Sequence, residues 1–234
     1  LARDQRVIAP DMPGFGESSK PVRPLHAPYY ARWLAAFLDK IGVERAHLIG
    51  NSMGGRVAIE TALRTPDRVD RLVLLAPSMA WKNFRQLVPT ARLLRPEMAV
   101  LPIPIPRIQV VTTLKLLFAN PQRMAQTWID AAADEFLHVF GSPQGRIAFF
   151  SAARQIYVED ASGRRGFWDR LPGLTRPALF IWGAQDWLVP QAFARHVVDR
   201  VPHATSVILG SCGHVPQYEA PDRVENLTRE FLAK

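Results

Sequence analysis

The chain has 234 residues, 48% of them hydrophobic and 21% charged, and a formal net charge of +8. This is the composition of a folded globular protein, long enough for one sizeable α/β domain with an inserted piece. The longest apolar runs, such as residues 71 to 77, fall far short of the roughly 20 residues a spanning helix needs, and the basic residues are scattered rather than gathered with aromatics, so neither a membrane span nor a nucleic-acid partner is expected.

In chain order, Arg6-Val7-Ile8-Ala9 reads as a short strand that stops at Pro10. A loop dense in turn formers follows, Asp11-Met12-Pro13-Gly14-Phe15-Gly16-Glu17-Ser18. From Tyr29 to Ile41 the apolar residues Trp33, Leu34, Phe37, Leu38 and Ile41 recur with helical spacing, and Gly42 is placed to close that helix. Ala46 to Ile49 is a second strand. It turns at Gly50 into a helix from about Met53 to Thr65, which Pro66 ends. Arg71 to Leu75 is a continuous apolar strand of the kind buried on both faces.

Residues 78–171 differ. Val111 to Ala119, Ala125 to Phe140 and Arg146 to Tyr157 are helical in pattern, and the run Leu101-Pro102-Ile103-Pro104-Ile105-Pro106 is excluded from helix interior. The expectation is a helical lid inserted into an α/β core made of residues 1–77 and 172–234. The core pattern resumes with a strand at Ala178 to Trp182, a helix at Gln191 to Arg200, a strand at Ser206 to Leu209 and a helix at Arg223 to Leu232. Strands alternating with helices predict a mostly parallel sheet covered on both faces.

The chemistry-bearing residues sit at the strand ends. Gly50-Asn51-Ser52-Met53-Gly54-Gly55, between a strand and a helix, has the pattern of a nucleophile elbow. Ser52 would occupy a strained turn that exposes its hydroxyl, with Gly50 and Gly54 expected to relieve a tight strand–helix crossing. The N-terminus of the following helix favours developing negative charge, and the Met53 N–H is one oxyanion donor. A serine needs a base. His214, in Cys212-Gly213-His214-Val215-Pro216 just after the last strand, is in place for it. Asp186 follows the strand ending at Trp182 and is in place to orient the imidazole. His26, His47, His196 and His203 read as structural or surface residues. His138, in the lid segment, is a candidate substrate contact. No two histidines stand at ligand spacing and Cys212 is the single cysteine, so no metal, no cofactor and no internal disulfide are expected. The lone thiol and the charged, polar start fit a reducing, cytoplasmic setting.

These four ordered motifs resemble the α/β-hydrolase superfamily, in particular its lidded serine esterases and carbon–carbon bond hydrolases, over nearly the whole chain. The resemblance implies that the Asp11–Ser18 loop follows the family's fourth strand, the elbow its fifth, and the Asp186 and His214 loops its seventh and eighth. Some members carry the acid after the sixth strand, but Ala76-Pro77-Ser78 offers no carboxylate there. A serine nucleophile argues against epoxide hydrolases and haloalkane dehalogenases, which use aspartate. The elbow wording resembles carbon–carbon hydrolases of ring-cleavage products. Those often carry tryptophan after the base, where this chain has Val215, which tilts the expectation to small or medium carboxylic esters cleaved through an acyl-enzyme. A carbon–carbon hydrolase is the alternative, and a non-catalytic ligand receptor on the same fold is a third. Trp81, Phe84, Phe118, Trp128, Phe136, Phe140, Trp168 and Val215 are the candidate apolar walls of the substrate site. By the same resemblance the first three strands, with the His-Gly loop that supplies a second oxyanion donor, have no counterpart here, so a fragment of a longer protein is expected. The chain alone is then expected to fold poorly and turn over slowly, and a purified chain with full cooperative unfolding and normal esterase turnover would contradict that.

Overall fold

The computed structural model describes residues 1–81, 88, 93, 95–102 and 104–234. Helix α1 (Ala27–Lys40) starts at His26, whose Nδ1 accepts the Tyr29 N–H at 2.9 Å. The imidazole thus satisfies one of the donors that a helix start leaves unpaired. The helix closes with Gly42 at φ +69°, its N–H donating to the Asp39 carbonyl, as the closing glycine predicted. Strand β1 (Ala46–Asn51), helix α2 (Met53–Arg64) and strand β2 (Val69–Leu75) follow. The described part of the insertion after β2 carries α3 (Arg107–Lys115), α4 (Gln126–Gly141) and α5 (Pro143–Val158), then the short α6 (Phe167–Arg170). The chain returns through β3 (Ala178–Gly183), α7 (Ala192–Arg200), β4 (Thr205–Leu209), α8 (Pro216–Glu219) and α9 (Pro221–Leu232).

The four strands are all parallel and lie in the order β1-β2-β3-β4. Alternate side chains of the central strands serve opposite faces. Leu72 and Leu74 of β2 with Phe180 and Trp182 of β3 pack against Ala58, Ile59 and Ala62 of α2. Val73 and Leu75 with Leu179 and Ile181 pack against Val224 and Phe231 of α9. Burial on both faces explains why these strands read as unbroken apolar runs. Phe167, Trp168 and Leu171 belong to the first of these cores. The Trp168 indole N–H donates to the Ala80 carbonyl at 2.8 Å, so this ring is a core residue rather than a wall of the insertion.

Two expectations are corrected. Arg6–Ala9 is not a strand: it has no partner in the sheet, and Val7 and Ile8 are 55% and 41% exposed. An apolar run of four residues cannot hold strand geometry without a neighbour to accept its hydrogen bonds. The helix expected at Val111 to Ala119 is instead Arg107–Lys115. Pro106 (φ −60°, ψ 136°) is its N-cap, so the helix begins as soon as the proline-rich run ends. No described helix is long and apolar enough to cross a membrane.

Candidate active site

Ser52 stands between β1 and α2 at φ 51°, ψ −115°. Positive φ is uncommon for a residue with a side chain, and such strain persists only where the surroundings impose it. Here they do: the Ser52 N–H donates to the Leu75 carbonyl at 2.9 Å, and the Ser52 carbonyl accepts from Arg56 at 3.0 Å and Ser78 at 2.9 Å. The glycine pattern differs from expectation. A Cβ on Gly50 would lie 2.4 Å from the Gly54 carbonyl carbon, and one on Gly55 would lie 2.7 Å from Pro77 Cβ, whereas Gly54 has open space. The close approach therefore needs Gly50 and Gly55, and Gly54 is their backbone neighbour. The opening N–H groups of α2, Met53's among them, have no intrahelical partner and carry the positive end of the helix dipole.

The acid loop and the base loop are built against each other. A Cβ on Gly183 would meet the Gly213 carbonyl at 2.0 Å, and the Gln185 N–H donates to the Cys212 carbonyl at 2.9 Å. Asp186 Oδ1 accepts the Leu188 and Val189 N–H groups, each at 2.9 Å. Its Oδ2 lies 2.9 Å from His214 Nδ1. Both residues are buried, at 6% and 4% exposure. Two backbone donors and an imidazole thus leave the carboxylate one orientation, and it fixes the ring tautomer with the proton on Nδ1. Asn51, beside the serine, spans elbow and base loop: its Nδ2 donates to the Leu75 and His214 carbonyls, both at 3.0 Å. Asn51 was visible only as part of the motif wording. Among the described residues the Ser52 hydroxyl makes no hydrogen bond to the ring, an arrangement common before substrate is bound.

The candidate walls fall in different places. Phe118 and Trp128 meet edge to face with centroids 5.5 Å apart, in an apolar cluster that includes Val215 and Phe136. These residues therefore share a neighbourhood with the base loop. Phe136 also stacks on Phe140 at 5.2 Å. Trp81 packs against Phe193 at 6.1 Å, and His138 lines a separate cavity with Ser18 and Lys20. Phe84 lies outside the described residues. A cavity of about 710 Å³ opens beside Met53, between α1, α2 and the end of α5. Arg56, Arg64, Arg154, Arg165 and Arg170 line it, against two carboxylates. It does not reach Ser52, Asp186 or His214 themselves. Among the described residues no group of three or more histidine, cysteine or carboxylate side chains could hold a metal ion.

The model of the alpha/beta hydrolase fold family matches residues 1–221. The chain belongs to this family. Its relatives include the 2-hydroxy-6-oxononadienedioate/2-hydroxy-6-oxononatrienedioate hydrolase of a Pseudomonas species, 28% identical over 98% of this chain and 77% of that protein. The 2-hydroxymuconate semialdehyde hydrolase of Pseudomonas sp. strain CF600 is 30% identical over 100% of this chain and 78% of its own. Among solved structures, a mutant of a meta-cleavage product hydrolase superposes with a TM-score of 0.77 at 24% identity, covering 100% of this chain and 82% of that one. As a member of the α/β hydrolases the chain is a hydrolase, and the relatives named here act on small molecules.

Proposed function

We propose that the protein is a serine-type carbon–carbon bond hydrolase acting on an anionic ring-cleavage product, with Ser52 as nucleophile, His214 as base and Asp186 as the group that orients it. The observation that carries the substrate class is the charge of the cavity beside Met53, the residue next to Ser52; the lining of this cavity stops just short of the triad itself. Its wall holds five arginines against two carboxylates, and the excess stays positive after buried Glu60 is counted with its arginine partners. A wall of that charge suits a substrate carrying carboxylates better than a neutral ester. The relatives' own substrates, a dienedioate and a muconate semialdehyde, are acids and support the same class.

The chemistry follows from the geometry. Ser52 Oγ attacks the keto carbon while His214 takes its proton, and the Met53 N–H at the start of α2 stabilises the oxyanion. The bond between the carbonyl carbon and its neighbour breaks, and its electron pair passes into the conjugated system. The imidazolium returns the proton to that leaving carbon. Water, activated by His214, then hydrolyses the acyl-Ser52 ester. The described helices of the insertion, with Phe118, Trp128 and Phe136 beside the base loop, form the lid that walls the site from water.

A second reading, cleavage of small or medium carboxylic esters through the same acyl-enzyme, is favoured by Val215, where ring-cleavage hydrolases often carry tryptophan. The test is a side-by-side measurement of kcat/KM on a vinylogous diketone acid and on nitrophenyl esters, with Ser52→Ala as the blank. Carbon–carbon hydrolysis predicts the diketone acid as the better substrate. Preference for the esters would establish the second reading, and binding of the diketone acid without turnover of either would point to a receptor.

A further inference from the structure

The turn at residues 116–120 of the insertion, just after α3, sits on the two loops that carry Asp186 and His214. Trp187, next to Asp186, donates its indole N–H to the Leu116 carbonyl. The His214 N–H donates to the Leu117 carbonyl at 2.7 Å. A Cβ on Gly213 would lie 2.5 Å from that same carbonyl, so the base loop and the turn are in backbone contact. One side chain closes the joint. Glu219, on α8, accepts the Ala119 N–H at 2.7 Å and the Asn120 N–H at 3.3 Å on Oε1, and the Gly213 N–H on Oε2. The residue before His214 and the last two residues of the turn thus share one carboxylate. Hydrogen bonds to an ionised acceptor are shorter and stronger than neutral ones.

We propose that Glu219 is a positioning residue: its carboxylate locks the base loop to the 116–120 turn and so holds the His214 ring in line between Asp186 and Ser52. The inference rests on the triad reading above. Asp186 fixes the ring at Nδ1, and Asn51 fixes the His214 carbonyl. Glu219 fixes the preceding N–H, which completes the constraint on the loop backbone.

The test is the rate at which a fluorophosphonate labels Ser52, followed across pH, in wild type, Glu219→Ala, Glu219→Gln, Leu38→Ala and Ser52→Ala, alongside each melting temperature. Leu38 is a buried α1 residue, outside the clusters that hold the base loop and the insertion turn, whose truncation loosens the packing of α1 away from the joint. Misplacing a reacting group by a fraction of an ångström to an ångström costs up to about 100-fold. Glu219→Ala is therefore expected to label about 10- to 100-fold more slowly, with the pH midpoint displaced. Glu219→Gln, which keeps one acceptor oxygen, should fall between it and wild type. Leu38→Ala should melt lower yet label at the wild-type rate and midpoint. Wild-type rate and midpoint in Glu219→Ala would overturn the proposal. So would slowing shared with Leu38→Ala at an unmoved midpoint, which is the mark of a stability anchor. If Glu219→Ala does not fold, Glu219→Gln decides by the same two readouts. Labelling of wild type no faster than of Ser52→Ala would instead refute the triad, and this inference with it.

Discussion

Asp186 divides its work between its two carboxylate oxygens. Oδ1 is held by the N–H groups of Leu188 and Val189, and Oδ2 holds His214 Nδ1. An amide at this position keeps the shape but must either lose the backbone bonds or present its NH₂ group to the ring, which then carries its proton on Nε2, where it cannot accept from Ser52. Asp186→Asn is therefore expected to lower kcat by about 10⁴-fold with KM little changed, the size seen for this substitution in a serine protease triad. Steady-state kinetics on the preferred substrate checks it, and a loss confined to KM would contradict the orienting role. This much was legible in the sequence, because strand ends and residue order are enough to nominate Ser52, Asp186 and His214. Glu219 was not legible. Its role depends on a turn of the insertion folding back onto the base loop, and no local pattern encodes a contact made 100 residues away.

At the level of the elements, the elbow shows what spacing can and cannot say. Gly-x-Ser-x-Gly marks a tight strand–helix crossing, but which glycine the crossing needs depends on where Pro77, at the end of β2, comes to lie. Gly54→Ala places a methyl in open space within α2, so it should be neutral or stabilise by about 0.5–1 kcal/mol through helix propensity. Gly50→Ala and Gly55→Ala force backbone apart or push against Pro77, and should cost about 1–3 kcal/mol. Urea unfolding midpoints of the three variants give the comparison, and equal effects at 50 and 54 would contradict it. The helices and central strands were legible for a related reason: α1, α2, β2 and β3 bury enough apolar surface to impose their period on the sequence. Arg6–Ala9 misled because four apolar residues resemble a strand whether or not a partner is there to accept them. In the sequence His26 reads only as a structural or surface residue, because an imidazole cap differs from the usual Ser, Asp or Asn.

For the molecule as a whole, the join between core and insertion rests on a buried charge cluster. Glu60 of α2 is fully buried and pairs with Arg56 at 3.1 Å, Arg64 at 2.6 Å and Arg170 at 2.9 Å, while Arg56 and Arg170 also reach Glu159 beyond α5. Burial alone would raise the Glu60 pKa, but its bonds with Arg170, the charges of Arg56 and Arg170 and the bond with Arg64 outweigh it and lower it from 4.5 to about 2. The folded-state value is depressed, so the stabilisation is complete above pH 4.5 and is lost as pH falls from there through about 2. Glu60→Gln takes the acid from Arg64 and leaves Arg56 and Arg170 sharing Glu159 alone, and should cost about 3–5 kcal/mol at pH 7, with a flatter fall in stability between those two pH values than wild type shows. Denaturant titrations at several pH values measure both, and a parallel acid fall in the two proteins would contradict this role for Glu60.

The account as a whole stands on a nucleophile at position 52 activated by the ring at 214. The most direct measurement is peptide mapping by mass spectrometry after treatment with a fluorophosphonate. The prediction is one covalent adduct, carried by the peptide that contains Ser52, and its loss in His214→Asn. An adduct on another serine, or an undiminished one in His214→Asn, would contradict the account.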